Sequence, residues 1–269
     1  MGFYDVNGNA LNVAYGVGGT VLSSVYDVNG NPLTDSPFED NATITTIYTA
    51  TTTLQPQGGC MDSSGNICAC LYMSGNFIKY NLQAGTQSII TPPQASGTEP
   101  WGHANGMTYN PNTGYFYVAS QNNTGEVYVF DSSFNLVNTL IAKDANNNVF
   151  NCWNIAYDRT YQRFITMSGN GDIRFMNNSF SYVSKIQYDA NEWELTRQDI
   201  ETDGEYIYCL SWNPNKIFVF SMAGTLMKEI DCTAFGGEPE AMCYDWSTGN
   251  FYIEGKDSYY VIRQAAFKK

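Results

Sequence analysis

The side chains of this sequence that could bind or transform a ligand stand in five polar stretches about 45 residues apart. Each stretch leads into a short apolar run, and together they hold the one histidine, an arginine, tryptophans and carboxylates. The stretches are Gln55-Pro-Gln-Gly-Gly59, Trp101-Gly-His-Ala-Asn105, Asn151-Cys-Trp-Asn154, Glu194-Leu-Thr-Arg-Gln-Asp199 and Gly237-Glu-Pro-Glu240. The candidate ligand-binding residues within them are Trp101, His103, Asn105, Trp153, Asn154, Arg197, Gln198, Glu238 and Glu240.

These residue types suit a neutral polar ligand such as a sugar, because tryptophan faces stack on sugar rings while amides donate and accept hydrogen bonds. Each residue type also has a purely structural interpretation. Trp101 could pack between sheets, and His103 could fix its own loop by bonding to backbone. Arg197 could neutralise Glu238 or Glu240 instead of an anionic ligand group. The residues alone leave both interpretations open.

Acid–base catalysis is the alternative function. Glu99, Asp199 and Glu240 could supply the separate acid and base of a glycoside hydrolase that acts on cell-surface polysaccharide. Against this, Asn105 and Asn154 hold the corresponding places in the second and third stretches, and amides cannot transfer protons. One histidine and no nucleophile-elbow serine leave no catalytic triad. We therefore expect a binding module rather than an enzyme, with no cofactor.

The elements that position these stretches are short strands in a fivefold repeat. An aromatic-rich strand pattern begins at Phe77, Val127, Ile173, Ile217 and Tyr259, so successive copies start 42 to 50 residues apart. Before each lies another strand, opened by a turn rich in Asn, Asp and Gly, and before that turn a short innermost strand. Four strands per copy at this period are typical of propeller blades. We predict an all-β five-bladed β-propeller in which the five stretches line one mouth.

The fifth copy is incomplete at its outer edge. It reaches Arg263 with only residues 264–269 left, which is short for a fourth strand. The segment Ala42–Leu54 precedes the first blade, is rich in β-branched residues and has no blade of its own. We predict that it pairs as the outer strand of the last blade and closes the ring. An independent edge strand or an extended linker is the alternative.

Residues 1–40 stand outside the repeat, and the propeller is predicted over residues 41–269. The sequence Tyr-Asp-Val-Asn-Gly-Asn occurs at residues 4–9 and again at residues 26–31, and Asn-Gly between apolar residues predicts a tight hairpin. The alternate Asp and Asn residues also resemble the start of a calcium-binding loop. Such a loop needs a glutamate near its end, but the first copy has Gly16 there, and the second copy has Pro32 and no suitable acid. So short a segment cannot build its own core, and we expect it to order against a partner.

Composition excludes several other functions. A formal net charge of −13 with only 13 Lys and Arg disfavours nucleic acid and anionic membrane surfaces. No apolar run is long enough for membrane insertion. Seven cysteines without a CxxC pair and a single histidine give no zinc pattern, so we expect no metal. Cysteines within apolar strands predict buried thiols and a reducing compartment.

Three motifs resemble proteins of bacteriophage particles. The duplicated YDVNGN is similar to short attachment modules of tail or head fibres. The Trp-Gly-His-Ala-Asn…Thr-Tyr-Asn-Pro-Asn-Thr-Gly and Gly-Glu-Pro-Glu…Tyr-Asp stretches resemble blades of five-bladed receptor-binding propellers from phages of Gram-positive or gut bacteria. The resemblance implies a virion-attached adhesin, assembled in the host cytoplasm, that recognises host surface or cell-wall carbohydrate. It also implies virion partners for residues 1–40 and a homotrimer, and it leaves structural decoration of the virion as a third function.

Overall fold

The computed structural model describes residues 38–51, 53–72, 74–97, 99–121, 125–168, 172–186 and 197–267. Of Arg197 it describes the backbone only. The predicted YDVNGN hairpins lie outside these residues. Asp40–Phe267 form one compact unit. Among the described residues, no helix has the length and apolar character needed to cross a membrane.

The regular secondary structure of the described chain is β-strand, apart from a 3-10 turn at Thr233–Phe235. In chain order the strands are β1 (Thr43–Thr49), β2 (Pro56–Met61), β3 (Asn66–Leu71), β4 (Phe77–Asn81), β5 (Thr86–Ile90), β6 (Ala104–Asn110), β7 (Tyr115–Ser120), β8 (Glu126–Phe130), β9 (Leu136–Ile141), β10 (Asn154–Asp158), β11 (Arg163–Met167), β12 (Ile173–Met176), β13 (Tyr182–Lys185), β14 (Arg197–Thr202), β15 (Tyr206–Ser211), β16 (Lys216–Ser221), β17 (Leu226–Asp231), β18 (Glu238–Tyr244), β19 (Phe251–Lys256) and β20 (Tyr260–Ala266).

The strands form five antiparallel four-stranded sheets, which we number as blades 1 to 5. From the innermost strand outwards, blade 1 is β2-β3-β4-β5, and blades 2 to 4 follow the same order from β6, β10 and β14. Blade 5 is β18-β19-β20-β1. Each innermost strand contacts the next, and β18 contacts β2, so the five sheets close into a ring. The prediction of an all-β five-bladed propeller is confirmed.

The ring closes through the N-terminal strand, as the β-branched composition of residues 42–54 predicted. β1 pairs antiparallel with β20, from Thr43 opposite Ala266 to Thr49 opposite Val261. Just before β1, Asp40 and Ala42 exchange backbone hydrogen bonds with Asp231 at the end of β17. The first described strand therefore supplies the outer edge of blade 5 and also ties that blade to blade 4.

The turns between the first and second strands follow from their sequence. In blades 1, 2, 3 and 5, the side chain of an Asp or Asn accepts a hydrogen bond from the backbone N–H two residues ahead, as in Asp62 with Ser64 at 2.8 Å and Asp245 with Ser247 at 2.8 Å. Such turns fix where each innermost strand ends. The inner strands of each blade are mostly buried between neighbouring blades, whereas the outer strands are partly exposed. All seven cysteines are buried free thiols.

Candidate functional site

The five polar stretches meet at the end of the propeller axis where the innermost strands begin. We call this end the mouth and define it by Gln55, Gln57, His103, Gln198 and Glu240. Blades 1, 2, 4 and 5 supply these residues, although up to 185 positions separate them in sequence. The convergence of the stretches on one mouth is thus a direct result of ring closure.

Irregular pairing at the strand entrances sets which residues face the axis. The register between first and second strands shifts between Ala104 and Gly106, between Arg197 and Asp199, and between Pro239 and Ala241. The extra residues are therefore Asn105, Gln198 and Glu240. An extra residue bends the strand and redirects its side chain. Each of these register shifts is a β-bulge, and together they set the positions of three of the nine predicted site residues.

The Glu240 carboxyl is the centre of the mouth. It is buried, and it accepts hydrogen bonds from Gln55 Nε2 at 3.2 Å and from Gln198 Nε2 at 3.0 Å. The pKa of Glu240 is raised to about 8, mainly by burial and then by the nearby Glu238 carboxyl, while the hydrogen bonds of Gln55 and Gln57 act in the opposite direction. At pH 7 this carboxyl is therefore mostly protonated, neutral and able to donate a hydrogen bond.

His103 borders the same group of carboxamides. Its Nε2 donates to Gln57 Oε1 at 2.9 Å, its Nδ1 lies 3.9 Å from a carboxylate oxygen of Glu99, and its ring packs on Tyr72 with centroids 5.0 Å apart. The side chain is 29% exposed. Burial lowers the pKa of His103, although the Glu99 charge opposes this. The imidazole at the mouth is therefore neutral at pH 7, and with Nε2 donating to Gln57 its Nδ1 is an acceptor.

Below the mouth, hydrogen bonds cross the axis. Asn154 Nδ2 donates to the backbone oxygens of Asn105, at 3.1 Å, and of Gln198, at 2.6 Å, and so joins blades 2, 3 and 4. Gly106 lies so close to blade 3 that a Cβ atom on it would stand 2.5 Å from Asn154 Cα. Asn105 and Asn154 are buried, and their amides hold the axis together.

Asp199 belongs to this same axial layer. It is fully buried, and its Oδ2 accepts backbone hydrogen bonds from Met242 at 2.9 Å and from Gly59 at 3.3 Å, which link blade 4 to blades 5 and 1. Burial raises the pKa of its carboxyl well above the usual range, and the backbone donors oppose this. Its surroundings suit a structural anchor better than the hydrolytic base considered above.

The remaining predicted residues lie around the mouth in different settings. Trp101 is only 4% exposed, donates from Nε1 to the Gly75 carbonyl at 2.8 Å and packs on Phe130, so its face is not available for stacking on a sugar. Trp153 is half-buried, and its Nε1 has no hydrogen-bond partner among the described residues. Glu238 is half-buried beside Glu240. The side chain of Arg197 lies outside the described part of the chain.

Three exposed aromatic residues on the mouth face were missed in the sequence. Tyr72, Trp212 and Tyr259 are 36%, 43% and 45% exposed. Each lies in the loop between the second and third strands of its blade, which returns to the mouth end. Tyr259 was predicted as the first residue of a strand, whereas β20 begins one residue later, at Tyr260. Among the described residues, no group of three or more His, Cys, Asp or Glu side chains is placed to hold a metal ion.

Comparisons with known proteins bear on the fold. No family model matches the sequence, and no curated protein matches it significantly. Among solved structures, glutaminyl cyclase from Myxococcus xanthus superposes with a TM-score of 0.67 at 13% identity, covering 85% of this chain and 97% of the neighbour.

Two further solved structures are similar. Regucalcin from Agrobacterium tumefaciens, described as a calcium-binding protein, has a TM-score of 0.55 at 8% identity, with 92% and 96% of the two chains covered. Streptogramin B lyase has a TM-score of 0.51 at 10% identity, with 85% and 98% covered. At these identities the likeness is one of fold, and nothing in it indicates a virion adhesin. The chain is a five-bladed β-propeller.

Proposed function

We propose that the mouth binds an uncharged polar ligand of carbohydrate type without transforming it. The observation that carries this proposal is the neutral hydrogen-bonding cluster in which the protonated Glu240 carboxyl lies among the carboxamides of Gln55, Gln57 and Gln198. Carboxamides and a protonated carboxyl offer both donors and acceptors, as the hydroxyl groups of a sugar require. The exposed rings of Tyr72 and Tyr259 add apolar faces for a sugar ring.

The test is retention on purified cell-wall polysaccharide from Gram-positive bacteria. His103→Ala removes an exposed acceptor, and we expect it to weaken retention at least about tenfold with an unchanged melting temperature. Tyr115→Ala removes an exposed aromatic residue at the other end of blade 2 and serves as the control, with no expected loss. Retention of the His103 variant equal to that of the wild type would contradict the proposal.

Binding at the mouth should also depend on pH. Below about pH 8 Glu240 is mostly protonated and can donate to the ligand, whereas above it the carboxyl carries a charge and has lost that donor. We expect retention to fall as the pH rises from 7 to 9. Glu240→Gln, which does not titrate, should bind with no such pH dependence.

Acid–base catalysis at Glu240 is the second candidate. A carboxyl with a pKa of about 8 can give and take a proton at neutral pH, and two of the structural neighbours carry enzyme names. Reducing sugar released from the polysaccharide, or cyclisation of a glutaminyl substrate as named for the Myxococcus neighbour, would establish it. Glu240→Gln separates the two functions, because it should abolish catalysis but change binding less than about tenfold.

Attachment to a virion rests on the sequence resemblance alone. We propose that residues 1–40 join the propeller to other virion proteins, as a homotrimer, and that the mouth then faces host surface glycan. Particles assembled with a chain lacking residues 1–38 should contain no propeller. Normal incorporation of the shortened chain would overturn this, and failure of glycan binding with normal incorporation would leave structural decoration of the virion.

A further inference from the structure

The outer strand of blade 2 is a sheet edge without protective charges. Strand β9 (Leu136–Ile141) pairs with β8 on one side, and no strand of the described chain pairs with its other side. Its six residues include no charged side chain, proline or glycine. The outer strands β13 and β17, in contrast, carry Lys185, Lys228 and Glu229. Because charged residues on an edge strand normally prevent pairing with another chain, β9 is suited to such pairing.

Apolar side chains are exposed along the same strand. Val137 and Ile141 are 48% and 39% exposed, and Thr139 between them is exposed as well. Leu136 and Leu140 are half-buried and pack on the cores that blade 2 shares with blades 1 and 3. The two leucines therefore hold β9 on its blade, while the alternate residues remain available for contact with another strand.

The hydrogen bonds between β8 and β9 show which backbone groups point away from blade 2. The Ala142 N–H donates to the Gly125 carbonyl at 2.7 Å, and these two residues lie opposite one another, one step beyond the paired residues of the two strands. Hydrogen-bonded and non-bonded pairs alternate along an antiparallel ladder, so Ile141 and Thr139 direct their N–H and C=O groups outward. The Thr139 N–H accordingly bonds to the Asn138 side-chain oxygen, at 2.9 Å. These outward groups are the ones that a further strand would bond.

We propose that β9 pairs antiparallel with β9 of a second copy of this chain, with the two Thr139 residues opposite each other on a twofold axis. The strand is self-complementary in this register, because the outward groups of Thr139 meet the same groups of the second copy. Val137 then lies beside Ile141 of the second copy. Apolar pairs and Thr–Thr pairs directly across an antiparallel ladder are each favourable. This contact is independent of the mouth and of residues 1–40.

Charges at the two ends of β9 favour a second copy of the chain as the partner. The register places Lys143 opposite Asn135 of the second copy. Lys143 is exposed, and its side chain has no ion pair or hydrogen bond in the described part of the chain. Asn135 Nδ2 donates to the Asp131 carboxylate at 2.9 Å, and hydrogen bonds from Asn135 and Ser133 lower the pKa of Asp131, which is therefore ionised at pH 7. The twofold axis repeats the approach of Lys143 to Asp131, so two pairs of opposite charges flank the contact between chains whose net charge is −13.

Sedimentation equilibrium of the full chain tests this pairing. One pair of short strands buries less than the about 1,200 Å² of a standard interface, so we expect a Kd on the order of 0.1 millimolar. Well above that concentration the wild type should approach twice the mass of Thr139→Lys, which sets two ammonium groups against each other on the twofold axis. The factor of two holds whatever assembly residues 1–40 add, because both chains contain them. Ser88→Lys makes the same change at an exposed position of the charge-free outer strand β5 and should associate as the wild type does.

A second pair of variants tests the flanking charges. Lys143→Glu sets a carboxylate against Asp131 of the second copy, and we expect it to weaken association at least about threefold. Lys185→Glu makes the same charge change at an exposed position of β13 and should weaken association less. Amide hydrogen exchange at Ile141 should slow as the wild-type concentration rises, but not in Thr139→Lys.

Three results would overturn the proposal. One is an equal mass for the wild type and Thr139→Lys at the highest concentration. Another is an association that Ser88→Lys weakens as strongly as Thr139→Lys. The third is association without any change in exchange at Ile141, which would place the contact elsewhere. If Thr139→Lys fails to fold by circular dichroism, the comparison of Lys143→Glu with Lys185→Glu decides, and equal weakening by the two overturns the pairing.

Discussion

The two ends of the propeller axis are built from the same five strands and differ in chemistry. At the mouth, carboxamides surround Glu240 beside a neutral His103, and exposed aromatic side chains stand in the nearby loops. At the opposite end, where the innermost strands finish, the side chains of Tyr157 and Trp246 pack together with Arg159, whose guanidinium lies over the Trp246 ring. The mouth therefore suits uncharged polar ligands, whereas the opposite end has room for about one water molecule.

The layer between the two ends explains how they can differ. Two hydrogen bonds cross the axis between blades that are not neighbours, one from Asn105 Nδ2 to the Gln198 carbonyl and one from the Gly59 N–H to Asp199 Oδ2. The backbones of Gly58 and Gly106 meet there, since a Cβ on Gly58 would lie 2.4 Å from Gly106 Cα. The axial layer is thus solid protein, and substitutions at one end should not reach a ligand at the other.

The largest expected effect comes from disturbing this layer. Gly106→Ala would place a methyl group 2.5 Å from the Asn154 backbone, which cannot move aside. We expect a loss of at least about 3 kcal/mol in the free energy of unfolding, measured by urea denaturation, and the loss of polysaccharide retention. Gly65→Ala, where nothing lies within 4 Å but φ is +73°, should cost only about 1 kcal/mol. Similar values for the two variants would show that the layer is not tightly packed.

A slightly smaller effect on stability should follow from ionisation of Glu254. This side chain is fully buried beside Gly59 and accepts a hydrogen bond from the Tyr260 hydroxyl. Burial raises its pKa to about 7, against 4.5 for the ordinary group. Between these values the unfolded chain releases a proton that the folded chain keeps, so stability falls as the pH rises from about 5 to 8. Glu254 should account for up to about 3 kcal/mol of this fall.

The check on Glu254 is its neutral isostere. Urea denaturation of Glu254→Gln at pH 5 and pH 8 should give a smaller difference than the wild type, because the variant has no proton to lose at this position. A variant that loses stability with pH as steeply as the wild type would assign the dependence to other carboxyls, such as Glu201 and Glu240, whose pKa values are raised to about 8.

Independence of the mouth from the opposite end can be measured with paired variants. His103→Ala should weaken polysaccharide retention about tenfold, or about 1.4 kcal/mol. Arg159→Gln, at the opposite end, should leave retention unchanged. Loss of retention in Arg159→Gln, with melting temperature unchanged, would mean that the axial layer transmits changes between the ends.

The smallest expected effect sharpens the description of the mouth itself. Tyr72→Ala removes one exposed ring that packs on His103, and we expect a few-fold loss of polysaccharide retention with an unchanged melting temperature. Trp212→Ala is the matched variant on blade 4. If Trp212→Ala alone reduced retention, the ligand would lie towards blade 4 and away from His103.

Much of this architecture could be predicted from local sequence. Strand alternation, the period of about 45 residues and the Asx turns at Asp62 and Asp245 act over short distances, so they can be recognised without the fold. The composition of residues 42–54 even predicted the strand that closes the ring. The convergence of the five stretches on one mouth followed from the same repeat.

The roles of individual site residues could not be predicted in this way. Trp101 and Asn154 stand in the same polar stretches as His103 and Glu240, yet they are buried against Gly75 and across the axis.

The sequence by itself therefore determined the number of blades, their turns and the closing strand, since each depends on residues near one another in the chain. Only the tertiary structure decided which polar side chains form hydrogen bonds at the axis and which face solvent. The reason is that burial arises from contacts among residues of separate blades. Such contacts raise the pKa of Glu240 and place the Arg159 guanidinium over the Trp246 ring.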